Sequence, residues 1–269
     1  MLGIEMTAVR QVVLQIIFFR LFYFLLTVTA LRKFDGVLTR KLAVRYVSVF
    51  HAFVTGVASV FSFLLFPQQI TKPDDAFNPV TYHVVLFSIS YFAHDTIDMV
   101  IYGEGVKYVE YIAHHIFMLA CGLVVMYIPY ILPVAMVALI AEVNTVFIHV
   151  RLLLKFYGYG AESQAYSINQ FLNIATFIPF RQLPPLWIGW FSLFYSSQHI
   201  NLLIRAIFLS CVVFITVHNY RIFVRLLKVE GYLGRKKPSI STEYIHEQVS
   251  DDLIDAVDSA QTDETTKTD

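Results

Sequence analysis

Two adjacent histidines, His114 and His115, sit inside the apolar run Tyr111-Ile112-Ala113-His114-His115-Ile116-Phe117. Successive positions on a helix point about 100° apart, so this pair cannot grip one metal ion as histidines four residues apart do. One ring can act as a base or nucleophile while the other orients it or binds an anion. Carboxylates that could hold such a base occur in a neighbouring stretch, where Asp95 and Asp98 share a helical face with Ser88 and Tyr91, and His94 lies beside them. Glu142, Thr145 and His149 share another face, with Asn144 adjacent. Ser48, His51, Thr55, Ser59 and Ser62 recur at helical spacing. Asn169, Asn173 and Thr176 lead into Arg181, inside Pro179-Phe180-Arg181-Gln182-Leu183-Pro184-Pro185, and His218, Asn219 and Arg221 close the last apolar stretch.

Each group also has a plainer use. Serine and threonine stripes commonly pack helices together. Asp95 and Asp98 can cap or pair near a surface, His149 and His218 can be interfacial, and Arg20 can snorkel outward along its own stem. The sequence contains no His-x-x-x-His pair, Gly-rich phosphate loop or Gly-x-Ser-x-Gly elbow, so no metal ligand set, bound cofactor or serine nucleophile is expected.

The elements that must position these residues are membrane helices. Of 269 residues, 57% are hydrophobic and only 15% charged, with a mean hydropathy of +0.61. Soluble domains carry about 25% charged residues, so the class is an all-α integral membrane protein. Seven stretches are long enough to cross a bilayer, near 12–31, 44–66, 80–101, 111–128, 131–150, 168–190 and 203–224. The fourth and fifth form a tight hairpin at Tyr127-Ile128-Pro129-Tyr130. The first reads as a retained signal-anchor. Cys121 and Cys211 lie in apolar runs and read as buried free thiols.

Charge sets the expected orientation. Fourteen of the 20 Lys and Arg fall in alternate connections: Arg32, Lys33, Arg40, Lys41 and Arg45, then Lys107, then Arg151 and Lys155, then Arg221, Arg225, Lys228, Arg235, Lys236 and Lys237. Positive loops stay cytoplasmic, which puts the N-terminus in the lumen or outside and the C-terminus in the cytoplasm. These basic residues are topological, and nucleic-acid binding has no support. Residues 1–237 hold 19 Lys and Arg against 11 Asp and Glu, whereas 238–269 hold Lys267 against nine acids. The division expected is a signal-anchor helix and loop (1–39), a six-helix domain (40–228) and a disordered acidic tail (229–269).

With alternate helices running in opposite directions, His51, Asp95, Asp98, His114, His115, His149, Asn173 and His218 fall in the cytoplasmic half. Glu142 and Arg181 lie nearer the middle, where they could pair. Ionisable groups are costly in hydrocarbon, so their convergence implies a central polar cavity open toward the cytoplasm.

These pieces together resemble a known family. Ser48-Val49-Phe50-His51-Ala52, the segment from Tyr91 to Met99, His114-His115, Ala141-Glu142-Val143-Asn144-Thr145 with Arg151, and Phe180-Arg181 are similar to the TLC domain. That domain is shared by translocating-chain-associating proteins, ceramide synthases and small TLC domain-containing proteins. Chain length and one span before six core helices are most similar to the TLC domain-containing protein 4 branch. The resemblance implies six helices around a lipid-accommodating cavity, in the endoplasmic reticulum or a related membrane. In ceramide synthases the double histidine, here His114 and His115, is the proposed element for acyl transfer from acyl-CoA. Those enzymes carry His-Asp-x-x-Asp in the following helix, where this chain has Thr145 at the second aspartate position. Non-synthase branches are associated with phospholipid composition, and one member with cargo export.

Two functions follow as expectations. In one, membrane lipids and acyl-CoA are the partners, His114 or His115 is the base or acyl acceptor, and Asp95 or Asp98 orients it. His51, Glu142, Asn144, His149, Asn173, Arg181 and His218 then bind ligand, and Arg40 and Lys41 meet a coenzyme A phosphate. In the other, the same cavity serves a non-catalytic lipid sensor, regulator or cargo receptor. A seven-helix receptor or channel fits poorly, because the polar cluster lies on the cytoplasmic side.

Overall fold

The computed structural model describes residues 2–34, 36–71, 77–102, 109–128, 131–195 and 202–233. Pro129 and Tyr130 of the expected hairpin and most of the expected tail lie outside the described residues. Among those described, the regular elements are all helical. They are α1 (Leu2–Val28), α2 (Gly36–Leu65), the single turn α3 (Gln68–Thr71), α4 (Pro79–Ile101), α5 (Val109–Tyr127), α6 (Leu132–Leu139), α7 (Glu142–Phe156), α8 (Gln164–Phe177), α9 (Leu183–Trp190) and α10 (Leu202–Val229). Five helical stretches are long and apolar enough to cross a membrane, and Tyr111–Met126 is a shorter apolar helix. The all-helical membrane architecture therefore holds.

Two expected spans are broken. The fifth splits at Ile140–Ala141, where the backbone tightens into bonds three residues apart, Val143 N to Ile140 O at 3.2 Å and Asn144 N to Ala141 O at 3.1 Å. The sixth is interrupted by a π turn, Ile178–Gln182, between α8 and α9. Pro184 and Pro185 lack the N–H groups that would bond the carbonyls four residues back. Asn219 Nδ2 donates to one of these freed carbonyls, that of Arg181, at 2.8 Å.

Outside this core, α1 packs on α4. Three polar contacts tie the two helices: Gln11 with His83 at 2.8 Å, Gln15 with Ser90 at 3.0 Å, and Arg20 with Asp98 at 2.9 Å. Both partners climb in number together, so α1 and α4 run in the same direction. The expectation that Arg20 snorkels is thereby corrected. A carboxylate is within reach on α4, and pairing with it offsets the cost of a charge in the bilayer.

Helices α7 and α10 end alike. Gly158 and Gly231 adopt φ of 79° and 82°, and the following N–H groups of Tyr159 and Tyr232 close back onto Leu154 and Leu227 at 2.9 Å each. Beside these ends Arg151 Nε donates to Glu230 Oε1 at 2.6 Å, and the Tyr166 hydroxyl donates to the same oxygen at 3.0 Å. Burial pushes the Tyr166 phenol above its usual range, so it stays a donor. Removing one partner of a buried pair costs about 3–5 kcal/mol. A chain ended at Lys228 should therefore melt well below one ended at Leu233 in a detergent unfolding series, and equal midpoints would refute the clasp.

Candidate functional site

The site is a cavity of about 300 Å³ walled by α2, α4, α5, α6, α7, the π turn, α9 and α10; α1 contributes no wall residue. One end is basic, with Arg40, Lys41, Arg45 and Arg225. An apolar annex of about 70 Å³ adjoins the cavity, with Phe92 and Met118 in the wall of both and Val85, Ile89, Gly122, Val125, Val134 and Phe208 lining the annex. Cys121 and Cys211 also line the annex, as free thiols hydrogen-bonded to each other. Asp95 and Val85 are ten residues apart on α4, which sets a depth of about 15 Å at 1.5 Å per residue.

The middle of the cavity carries the titratable groups. Asp95 Oδ2 lies 3.4 Å from His115 Nδ1, close enough for an ion pair when the ring is protonated. Phe92 holds the other side of His115 edge-on at 5.2 Å. His114 stacks on His218 at 6.1 Å, and His218 stacks in turn on Phe214 at 6.0 Å. The Nδ1 of His114 is buried without a hydrogen-bond partner among the described residues. Arg45 reaches His149 Nδ1 at 3.5 Å.

Arg181 projects from the π turn into a fixed set of acceptors. Its guanidinium donates to Asn144 Oδ1 at 3.1 Å, Thr145 Oγ1 at 2.5 Å and Asn219 Oδ1 at 3.4 Å. Asn144 Nδ2 is held by the Asn173 carbonyl at 2.8 Å and its side-chain oxygen at 3.0 Å. Arg181 and Glu142 feel each other's charge but make no direct ion pair. The guanidinium instead binds the amides and hydroxyl around it, and Glu142 Oε2 lies 3.9 Å from His51 Nδ1.

Seven of the candidate residues thus line the cavity: His114, His115, Asp95, Glu142, His149, Arg181 and His218. Four do not. Asp98 is buried between Arg20 and Arg40, so its expected place beside a histidine base in the cavity is corrected. His51 is fully buried behind the wall, stacked on Tyr91 at 3.8 Å and bonded to Ser88 at 2.9 Å. Asn144 and Asn173 form the clasp under Arg181 and act on the cavity through it. Arg45, Tyr111 and Arg225 line the cavity without having been singled out as site residues. Arg45 and Arg225 were read as orientation signals, and their place within a turn or two of polar stripes was the available clue. Among the described residues no group of three or more His, Cys, Asp or Glu side chains is placed to hold a metal ion.

A family model described as TLC domain matches residues 41–228. TLC domain-containing protein 2 of Danio rerio is 31% identical over 73% of this chain and 79% of its own length. TLC domain-containing protein 2 of Mus musculus is 29% identical over 66% of this chain, a match spanning only 56% of the mouse protein. TLC domain-containing protein 1 of Gallus gallus is 24% identical over 73% and 77% of the two chains. These relatives are TLC domain-containing proteins 1 and 2, and what they carry is the family.

Proposed function

The chain belongs to the TLC domain family, and from that membership we propose that it binds an acyl-chain lipid in its cavity and acts in lipid homeostasis, in the endoplasmic reticulum or a related membrane. One observation carries this reading: a cavity that is basic at one end and holds His115 and Asp95 in its middle adjoins an apolar annex, with Phe92 and Met118 in the wall of both. A chain laid into the annex exchanges one hydrocarbon surround for another, while its head meets the guanidinium groups. An extended chain advances about 1.2 Å per bond, a third of the ~3.5 Å of an extended residue, so the ~15 Å depth takes roughly a dozen bonds. The basic end faces the cytoplasm on the positive-inside argument.

The same geometry supports acyl transfer. A thioester such as acyl-CoA entering from the basic end presents its carbonyl beside His115. His115 takes the proton of an acceptor hydroxyl or amine as that acceptor attacks. The C–S bond then breaks, and the proton passes to the departing thiolate. Asp95 steadies the imidazolium between these events. A second reading, lipid sensing without chemistry, is favoured by Thr145, which stands at the aspartate position of the synthases and binds Arg181.

The test incubates purified protein with isotope-labelled long-chain acyl-CoA and follows free coenzyme A and acyl adducts by mass spectrometry. His115→Ala is expected to lower release by at least about 10²-fold, the usual worth of a general base. Intact acyl-CoA with a co-purified, unmodified acyl lipid selects the sensor reading. No bound acyl lipid in any preparation overturns both.

A further inference from the structure

Helices α5 and α10 meet as an antiparallel seam beside the cavity. Tyr111 and His114 face His218, with ring centroids 5.8 and 6.1 Å apart, and Phe117 faces Phe214 at 5.2 Å. A turn farther along, Cys121 and Cys211 face each other and share a hydrogen bond. They are the two cysteines of the chain, and both line the apolar annex. Cys121 follows His115 by six residues on α5, so the thiols lie about 9 Å beyond that histidine at 1.5 Å per residue. A chain whose carbonyl sits beside His115 advances about 1.2 Å per bond, a third of the ~3.5 Å of an extended residue. Its eighth or ninth carbon, roughly, then meets the two sulfurs.

We infer that Cys121 and Cys211 form a dithiol site that reduces a hydroperoxide carried at the middle of an acyl chain bound in the annex. The inference rests on the lipid-binding reading above and adds an activity to it. A hydroperoxide is the neutral oxidised group that an unsaturated chain brings into hydrocarbon, and a thiol pair is the group that reduces it. One sulfur attacks the terminal oxygen, and the O–O bond breaks. The proton of that thiol passes to the oxygen left on the chain, giving an alcohol and a sulfenic acid. The second sulfur, already in contact with the first, then attacks it. The S–S bond forms, and the hydroxyl leaves as water with the second thiol's proton. The peroxide gains two electrons, one from each sulfur. Reactants and products are all neutral, as a site walled by hydrocarbon requires. The disulfide so formed ties α5 to α10 at the edge of the annex.

The experiment uses the full chain, reduced, in nanodiscs of saturated phosphatidylcholine, which bring no oxidisable chain of their own. The probes are two isomers of octadecadienoic acid, one with its hydroperoxide on carbon 9 and the other on carbon 13. Mass spectrometry reads the Cys121–Cys211 disulfide, and chromatography reads the chain alcohol. The 9-isomer should yield one alcohol per disulfide, at least about tenfold faster than the 13-isomer, whose peroxide lies four bonds or about 5 Å too deep. The double variant C121S/C211S should form alcohol no faster than empty nanodiscs. Its binding of the unoxidised acid, expected to match wild type, shows that it is folded. Equal rates for the two isomers, or a disulfide formed without alcohol, overturn the inference, and both are read on the wild type alone. A wild type that binds the unoxidised acid but forms no disulfide with either isomer overturns the inference and leaves the lipid-binding reading standing. A wild type that does not bind the unoxidised acid overturns that reading as well.

Discussion

Gly56→Leu is expected to leave little folded protein in detergent, the largest loss of any single substitution considered. A Cβ at this position would stand 2.9 Å from the Val143 backbone nitrogen and 3.2 Å from the Glu142 carbonyl carbon. Both are backbone atoms, so no side chain can turn aside. The contact joins the middle of α2 to the first turn of α7, next to the break that aims Glu142 and Thr145 at the cavity. Alanine gains about 1 kcal/mol in helix propensity over glycine, while overpacking costs about 1–3 kcal/mol. Gly56→Ala should therefore lose up to about 2 kcal/mol, a downward shift of several degrees in the unfolding midpoint, and leucine should fail to assemble. Gly36→Ala, where nothing lies within 4 Å of the new Cβ, is the matched control and should be neutral. A Gly56→Leu protein that elutes and melts like wild type would show that α2 and α7 do not approach as described.

Arg181→Leu is expected to cost about 2–4 kcal/mol. Hydrogen bonds between membrane helices average about 0.6 and reach about 1.7 kcal/mol each, and Arg181 makes three through its side chain. The loss would also leave Asn144, Thr145 and Asn219 without their shared donor and unpin α7 from α10. Arg181→Lys should recover less than half of the loss, since a single ammonium cannot span the three acceptors that the planar guanidinium reaches. The unfolding midpoints of the two variants, with wild type, decide the matter. Equal midpoints for lysine and arginine would mean that charge, and not the fork, holds the clasp.

Much of the site was open to inspection in the sequence because it depends on local pattern. A stripe such as Ser88, Tyr91 and Asp95 is fixed by 3.6 residues per turn, whatever the neighbouring helices do. The pair His114-His115 and the face of Glu142, Thr145 and His149 were found in the same way, and the structure brings these groups to one cavity. Partners were harder. Arg20 and Asp98 lie 78 residues apart, and neither one names the other. Glu142 and Arg181 looked like natural partners by sign and depth, yet the guanidinium is turned onto Asn144, Thr145 and Asn219.

By itself, then, the sequence determined an all-helical membrane protein, its apolar stretches and the polar face of each. Hydrocarbon allows no unsatisfied backbone and few stray charges, so composition alone is a strong constraint there. Only the tertiary structure decided that Asp98 serves α1 and Arg40, that His51 lies behind the wall, and that the fifth span breaks where Gly56 meets Val143. It also decided that Arg45 and Arg225, counted as orientation signals, line a binding space. Each of these outcomes depends on how far one helix is rotated and how closely it is seated against another. That is set by side-chain packing between segments remote in sequence, which no period within a single helix records.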